Sequence, residues 1–127
     1  MPFVHIRSLP IGGGFDAGRA VRAISSGVAA AAGTDERHVS VTWQTLEREH
    51  YANAGRTAAT QPFASHPVLV ELFAPDFNAQ DRIENMLEVI AGAVATAAGV
   101  AAENVFVEFR PARSRQVFDG GQVARWD

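Results

Sequence analysis

Pro2-Phe3-Val4-His5-Ile6-Arg7-Ser8-Leu9 alternates in character directly behind Met1. Val4 and Ile6 fall on one side and His5 and Arg7 on the other, the two-residue period of a half-buried strand. A shift of 66 residues lays Val4 and Ile6 on Val70 and Leu72, within the run Pro67 to Phe73. The same shift carries Gly33 onto Gly99, and Val39, Val41 and Trp43 onto Val105, Val107 and Phe109. Agreement across three elements at one fixed period marks an internal repeat.

Between the strand runs of each half lies a helical period. From about Asp16, the residues Ala17, Ala20, Val21, Ile24, Val28 and Ala31 share one face, and Gly33 is a natural stop. In the second half Ile83, Met86, Leu87, Ile90 and Val94 do the same before Gly99, and Asn78 with Asp81 resembles a capping pair at the start. Val39–Gln44 and Val105–Arg110 complete the two units. The chain thus reads as an α+β fold: two β-α-β repeats, about 2–45 and 68–111, in one domain spanning 1–127. They form a four-stranded sheet with two helices on one face. A long connecting loop, 46–66, has no sustained period, and loops of that length are often functional. A C-terminal β-hairpin is expected around Asp119-Gly120-Gly121.

The repeat also sorts the strand faces. Val4, Ile6, Val41, Trp43, Val70, Leu72, Val107 and Phe109 share the face that packs under the helices. His5, Arg7, Ser40, Thr42, Gln44, Glu71, Glu108 and Arg110 share the other. Helices cover only one side, so this mixed face meets water or another subunit, with its opposite charges paired.

At 127 residues, 47% hydrophobic and 20% charged, the chain has the size and composition of one globular domain. A net charge of −3 with scattered arginines argues against nucleic acid as a partner. The absence of cysteine excludes disulfides and thiolate chemistry. No apolar run reaches the ~20 residues of a membrane helix, so no membrane partner and a cytoplasmic location are expected. His5, His38, His50 and His66 lack metal-ligand spacing, so neither a metal nor another cofactor is expected. The Gly12-Gly13-Gly14 run lacks a P-loop's lysine and spacing and reads as a flexible loop.

Pro2 carries the chemistry that is open to this chain. Its small side chain is one that methionine aminopeptidases accept behind Met1. With Met1 removed, Pro2 becomes a secondary amine. Burial in an apolar pocket disfavours the ammonium form and lowers its pKa towards neutrality, where it can carry protons. The plainer reading is a proline that opens a strand because its missing N–H costs nothing there.

A doubled β-α-β chain opening Met1-Pro2 resembles the tautomerase superfamily, which includes 4-oxalocrotonate tautomerase and macrophage migration inhibitory factor. The resemblance covers nearly the whole chain, from Pro2 through the ~66-residue repeat to Val105-Phe106-Val107-Glu108-Phe109 and Phe118-Asp119-Gly120-Gly121. It implies a homotrimer, with sheets lining a central barrel and helices outside. It implies Pro2 as general base, an arginine holding a substrate carboxylate, and an aromatic residue shielding the pocket. Phe106 falls where the inhibitory-factor branch has a pocket tyrosine, and Glu108 where that branch has an asparagine. The family's strand and loop arginines are replaced here, by Ser40, Phe106 and a residue near Gly12. Arg113, in the Arg113-Ser114 pair, is therefore the first choice for the carboxylate, with Arg7, Arg110 and Arg115 as alternatives. Glu71 is a candidate second catalytic group or an ion-pair partner of His5 or Arg7.

The expected activity is keto-enol proton transfer on a small 2-keto or enol carboxylic acid. The alternatives are a non-catalytic trimeric binding or scaffold protein of the same fold, or a related dehalogenase or decarboxylase. A ferredoxin-like dimer, with Pro2 as a mere strand start, also fits the element order.

Overall fold

In the computed structural model, which describes residues 1–126, the first half runs β1 (Phe3–Ser8), α1 (Ala17–Ala32), β2 (Ser40–Thr45). The second half runs β3 (Val68–Pro75), α2 (Gln80–Ala98), β4 (Val105–Ala112), followed by a hairpin of β5 (Phe118–Asp119) and β6 (Gln122–Val123). β1 pairs in parallel with β2, β3 in parallel with β4, and β1 joins β3 antiparallel, giving the order β2-β1-β3-β4. The halves are therefore related by an approximate two-fold axis between β1 and β3. This is the α+β architecture that the repeat predicts, with its hairpin.

Register preserves the faces. Val4 lies level with Val41 and Leu72, Ile6 with Trp43 and Val70, and Val70 and Leu72 with Val107 and Phe109. Val4, Ile6, Val70 and Leu72, on the two central strands, are buried against Ile24 and Val28 of α1 and Met86, Ile90 and Val94 of α2. Trp43, on an edge strand, is half-buried: its indole N–H donates to Ser8 Oγ at 3.0 Å and its ring meets Phe15. Gly33 (φ 67°) and Gly99 (φ 68°) end the helices in the left-handed conformation.

The start of α2 differs from expectation. Its N-cap is Ala79, without a side-chain cap. Asn78 Nδ2 donates instead to Pro75 O at 2.8 Å, and Asp81 Oδ1 accepts from the Arg82 amide at 2.9 Å. β3 extends to Pro75, two residues beyond the predicted strand, so Asn78 is spent on the turn that follows it.

The loop 46–66 is held by side chain-to-backbone hydrogen bonds in place of a hydrophobic period. Tyr51 Oη donates to Pro67 O at 2.7 Å, and Asn53 Oδ1 accepts from the His66 amide at 3.0 Å. Gln61 Oε1 accepts from the Leu9 amide at 3.1 Å, and Asn104 Nδ2 donates to Ser65 O at 2.8 Å. Tyr51 also stacks edge-on against the buried His66.

Burial pushes the Tyr51 phenol above its ordinary pKa. The contribution of the protonated form is therefore complete below the unfolded-state pKa of about 10 and is lost as pH rises through the raised folded value. Tyr51→Phe should lower stability by about 1 kcal/mol near neutrality. It should also remove part of the alkaline loss. Urea unfolding of both proteins near neutral and near alkaline pH measures the two effects, and an unchanged midpoint would show that the loop is held without this bond.

Candidate functional site

Strand alternation places Phe3, His5 and Arg7 of β1 on the sheet face away from the helices, beside Phe73, Glu71 and Leu69 of β3 and Arg110, Glu108 and Phe106 of β4. One carboxylate organises this face. Glu71 Oε1 lies 3.4 Å from Arg7 Nη2 and 3.6 Å from Arg110 Nη2, and Arg110 Nε donates to Glu108 Oε1 at 3.0 Å. The hydrogen bond to Glu108 and the charge of Glu71 hold the Arg110 guanidinium still more firmly protonated than usual. His5 takes no part in this network; its Nδ1 shares a hydrogen bond with Thr42 Oγ1 at 2.6 Å. Arg7, Glu71, Phe106, Glu108 and Arg110 together line a small cavity of about 140 Å³. Arg7 Nε is buried there without a partner. Four of the six site residues expected from the sequence therefore share one cluster, and Glu71 pairs with Arg7, as one of its two readings anticipates.

Pro2 lies elsewhere. It precedes Phe3 and so shares the inward side with Val4 and Ile6, buried at the end of the sheet. Its carbonyl accepts from the Ser40 amide at 3.1 Å, which fixes the strand start. Here the ends of α1 and β3 and the start of α2 converge around a cavity of about 560 Å³. Met1 and Pro2 line it with Gly33 and Thr34 after α1, Phe77 and Asn78 after β3, and Arg82 and Met86 on α2. The Met1 ammonium donates to His38 O at 2.6 Å and lies 3.7 Å from the Asp119 carboxylate at the hairpin tip. With Met1 in place the Pro2 nitrogen is an amide and has no basic lone pair.

Arg113 is exposed and lines neither cavity; its carbonyl accepts from the Gln116 amide at 3.1 Å. Its neighbour Ser114 receives the Trp126 amide at 2.8 Å, and the Trp126 indole donates to Asp76 Oδ1 at 2.8 Å while packing edge-on against Phe77. The tail thus braces the turn that walls the Pro2 cavity. Sequence reasoning missed Asp76 and Trp126, which are 50 residues apart and carry no local pattern. It also missed Arg82; the 66-residue shift sets it against Asp16, opposite in charge, but nothing local places it beside Pro2. A third cavity, about 650 Å³, lies between Gly12–Asp16 and the end of α2 at Gly99. Among the described residues, no group of three or more His, Asp or Glu is placed to hold a metal ion, and no helix is long and apolar enough to cross a membrane.

No protein-family model matches the sequence, and no curated protein matches it. Solved structures do match in fold. A symmetric trimer of wild-type fused 4-OT superposes with a TM-score of 0.83 at 15% identity, covering 97% of this chain and 95% of that one. A member of the cis-3-chloroacrylic acid dehalogenase family gives 0.79 at 19% identity, over 97% and 83% of the two chains. A macrophage migration inhibitory factor homologue from Prochlorococcus marinus gives 0.74 at 19% identity, over 95% and 97%. The chain shares the fold of these three proteins, the fold that the resemblance carried by the Met1-Pro2 opening and the doubled repeat implies.

The open-face cluster has a measurable consequence. Arg7 and Glu71 keep about a third of their side-chain surface exposed, at 36% and 31%. Glu71→Gln should therefore cost about 1 kcal/mol or less in the single chain, and less again in high salt. A loss of about 3 kcal/mol or more in urea unfolding would show that the pair is desolvated by a covering subunit.

Proposed function

We propose that this chain is a tautomerase that moves a proton between oxygen and carbon on a small 2-keto or enol carboxylic acid, with Pro2 as the base. The observation that carries this reading is the buried Pro2 on the wall of a cavity of about 560 Å³ that also holds an arginine. The fold shared with fused 4-OT supports it. Removal of Met1 has two effects at this point. It turns the Pro2 amide into a secondary amine, and it withdraws Met1 from the cavity lining.

The chemistry is balanced within the site. The Pro2 amine takes the enol O–H proton, the oxygen lone pair closes the carbonyl, and the C=C pair takes the proton back from the Pro2 ammonium at carbon. Burial of Pro2 in a cavity that also holds the Arg82 cation disfavours the ammonium form, so that the amine can serve as base and then as acid. An arginine beside the developing negative charge lowers the barrier electrostatically. The Met-retaining form supports a second reading, a binding protein without this chemistry, because Met1 then lines the cavity and its ammonium is engaged by His38 and Asp119.

Met1-free protein should ketonise phenylenolpyruvate or 2-hydroxymuconate, with a basic limb in the pH–rate profile below the pKa of a free amine. Pro2→Ala and the Met-retaining form should each lose about 10²–10⁴-fold, with the fold intact by circular dichroism. A Met1-free chain with no rate above buffer would overturn the enzyme reading for this substrate class. Equal activity with Met1 retained would make Pro2 structural.

The assembly proposed is a homotrimer with the open sheet face inward. Phe3 (42% exposed) and Phe106 (56%) stand on that face, together with the unpartnered Arg7 Nε. Light scattering at micromolar concentration should give the mass of three chains. Deletion of the residues after Pro111 should weaken the trimer; a stable monomer of the full chain would rule it out.

A further inference from the structure

The approximate two-fold axis that relates the halves also relates two of the cavities. Gly33 and Arg82, beside Pro2, correspond through the 66-residue shift to Gly99 and Asp16 in the glycine-lined cavity. The pairs have diverged in charge and in packing. Asp16 spends its carboxylate on the cap of α1, accepting from the Arg19 amide at 3.1 Å. Arg82 instead lies across the end of α1, with Nη1 donating to Ala32 O at 2.6 Å. Gly33 makes this seat: a Cβ there would lie 2.6 Å from Arg82 Nη1, whereas a Cβ on Gly99 would meet nothing within 4 Å. No carboxylate among the described residues lies within ion-pair distance of Arg82. By contrast, Arg7 and Arg110 are both committed to Glu71.

We propose that Arg82, seated on Gly33 and the end of α1, is the residue that binds the substrate carboxylate in the Pro2 cavity, and that the glycine-lined cavity with Asp16 binds none. The inference deepens the tautomerase reading by naming its anion-recognition residue. A guanidinium offers five N–H donors in a planar fork that matches a carboxylate, and the carbonyl contact engages Nη1 while orienting the plane. Although Arg82 is exposed, that contact orients its guanidinium, which then loses less entropy on binding than one without a partner. The helix-end carbonyl is a weaker partner than a full charge, so a carboxylate entering the cavity does not have to break an existing ion pair.

The test uses benzoate, a carboxylate without an enol, so that binding is read apart from turnover. Benzoate is titrated into the Met1-free full chain and followed by amide NMR shifts, with benzamide as the neutral control. Benzoate should shift the amides of Gly33, Thr34, Asn78 and Arg82, and benzamide should shift them far less. Arg82→Gln should weaken benzoate at least about tenfold, with amides remote from the cavity unchanged. Shifts centred instead on Gly12–Asp16 or on residues 110–115, benzoate binding lost in Arg113→Ala and kept in Arg82→Gln, or no benzoate binding at all would overturn the assignment. The wild-type shift map decides the matter even if Arg82→Gln fails to fold. Arg82-dependent benzoate binding without enol turnover would leave the inference standing and the tautomerase reading fallen; turnover unaffected by Arg82→Gln would do the reverse.

Discussion

Everything in this molecule depends on burying one face of a four-stranded sheet under two helices. Val4, Ile6, Val70 and Leu72 at the centre of that sheet are at most 2% exposed. Each such side chain contributes about 1.5–3 kcal/mol relative to exposure, far more than any surface ion pair in the structure. The burial also sets the register, because a slip by one residue would turn every inward side chain outward.

The same alternation determines where chemistry can occur. Pro2 and Arg7 are five positions apart on an extended strand, an odd number, so they stand on opposite faces. An arginine of β1 therefore cannot serve the proline of its own strand within one chain. The open face resolves its charges internally, through a single carboxylate shared by Arg7 and Arg110. The space around Pro2 is bounded by what closes the sheet end: the end of α1, the turn after β3 and the start of α2. Those three segments come from both halves of the chain, which is how duplication builds a cavity that neither repeat contains.

Duplication also allows the two halves to differ. Asp16 caps its helix, whereas α2 starts on Ala79 without a side-chain cap, and its nearby cation reaches across to the other helix. The glycine that ends each helix has the same φ in both halves, yet only Gly33 has a neighbour that needs the missing Cβ. Identical backbone requirements thus coexist with different demands on side-chain space.

By itself the sequence determined the elements, the duplication and the two strand faces, because periods of 2 and 3.6 residues are local and the 66-residue shift repeats them. It also marked Pro2 and the alternative pairing of Glu71 with Arg7, since strand parity places those charges on one side. Only the tertiary structure decided which segments close the cavity around Pro2, that Asn78 serves a turn, and that Trp126 braces Phe77 and Asp76. It alone brought Arg82 to the wall beside Pro2. These arrangements join residues tens of positions apart through helix ends and turns, where no period constrains the side chains and only the packing of the two halves sets their distances.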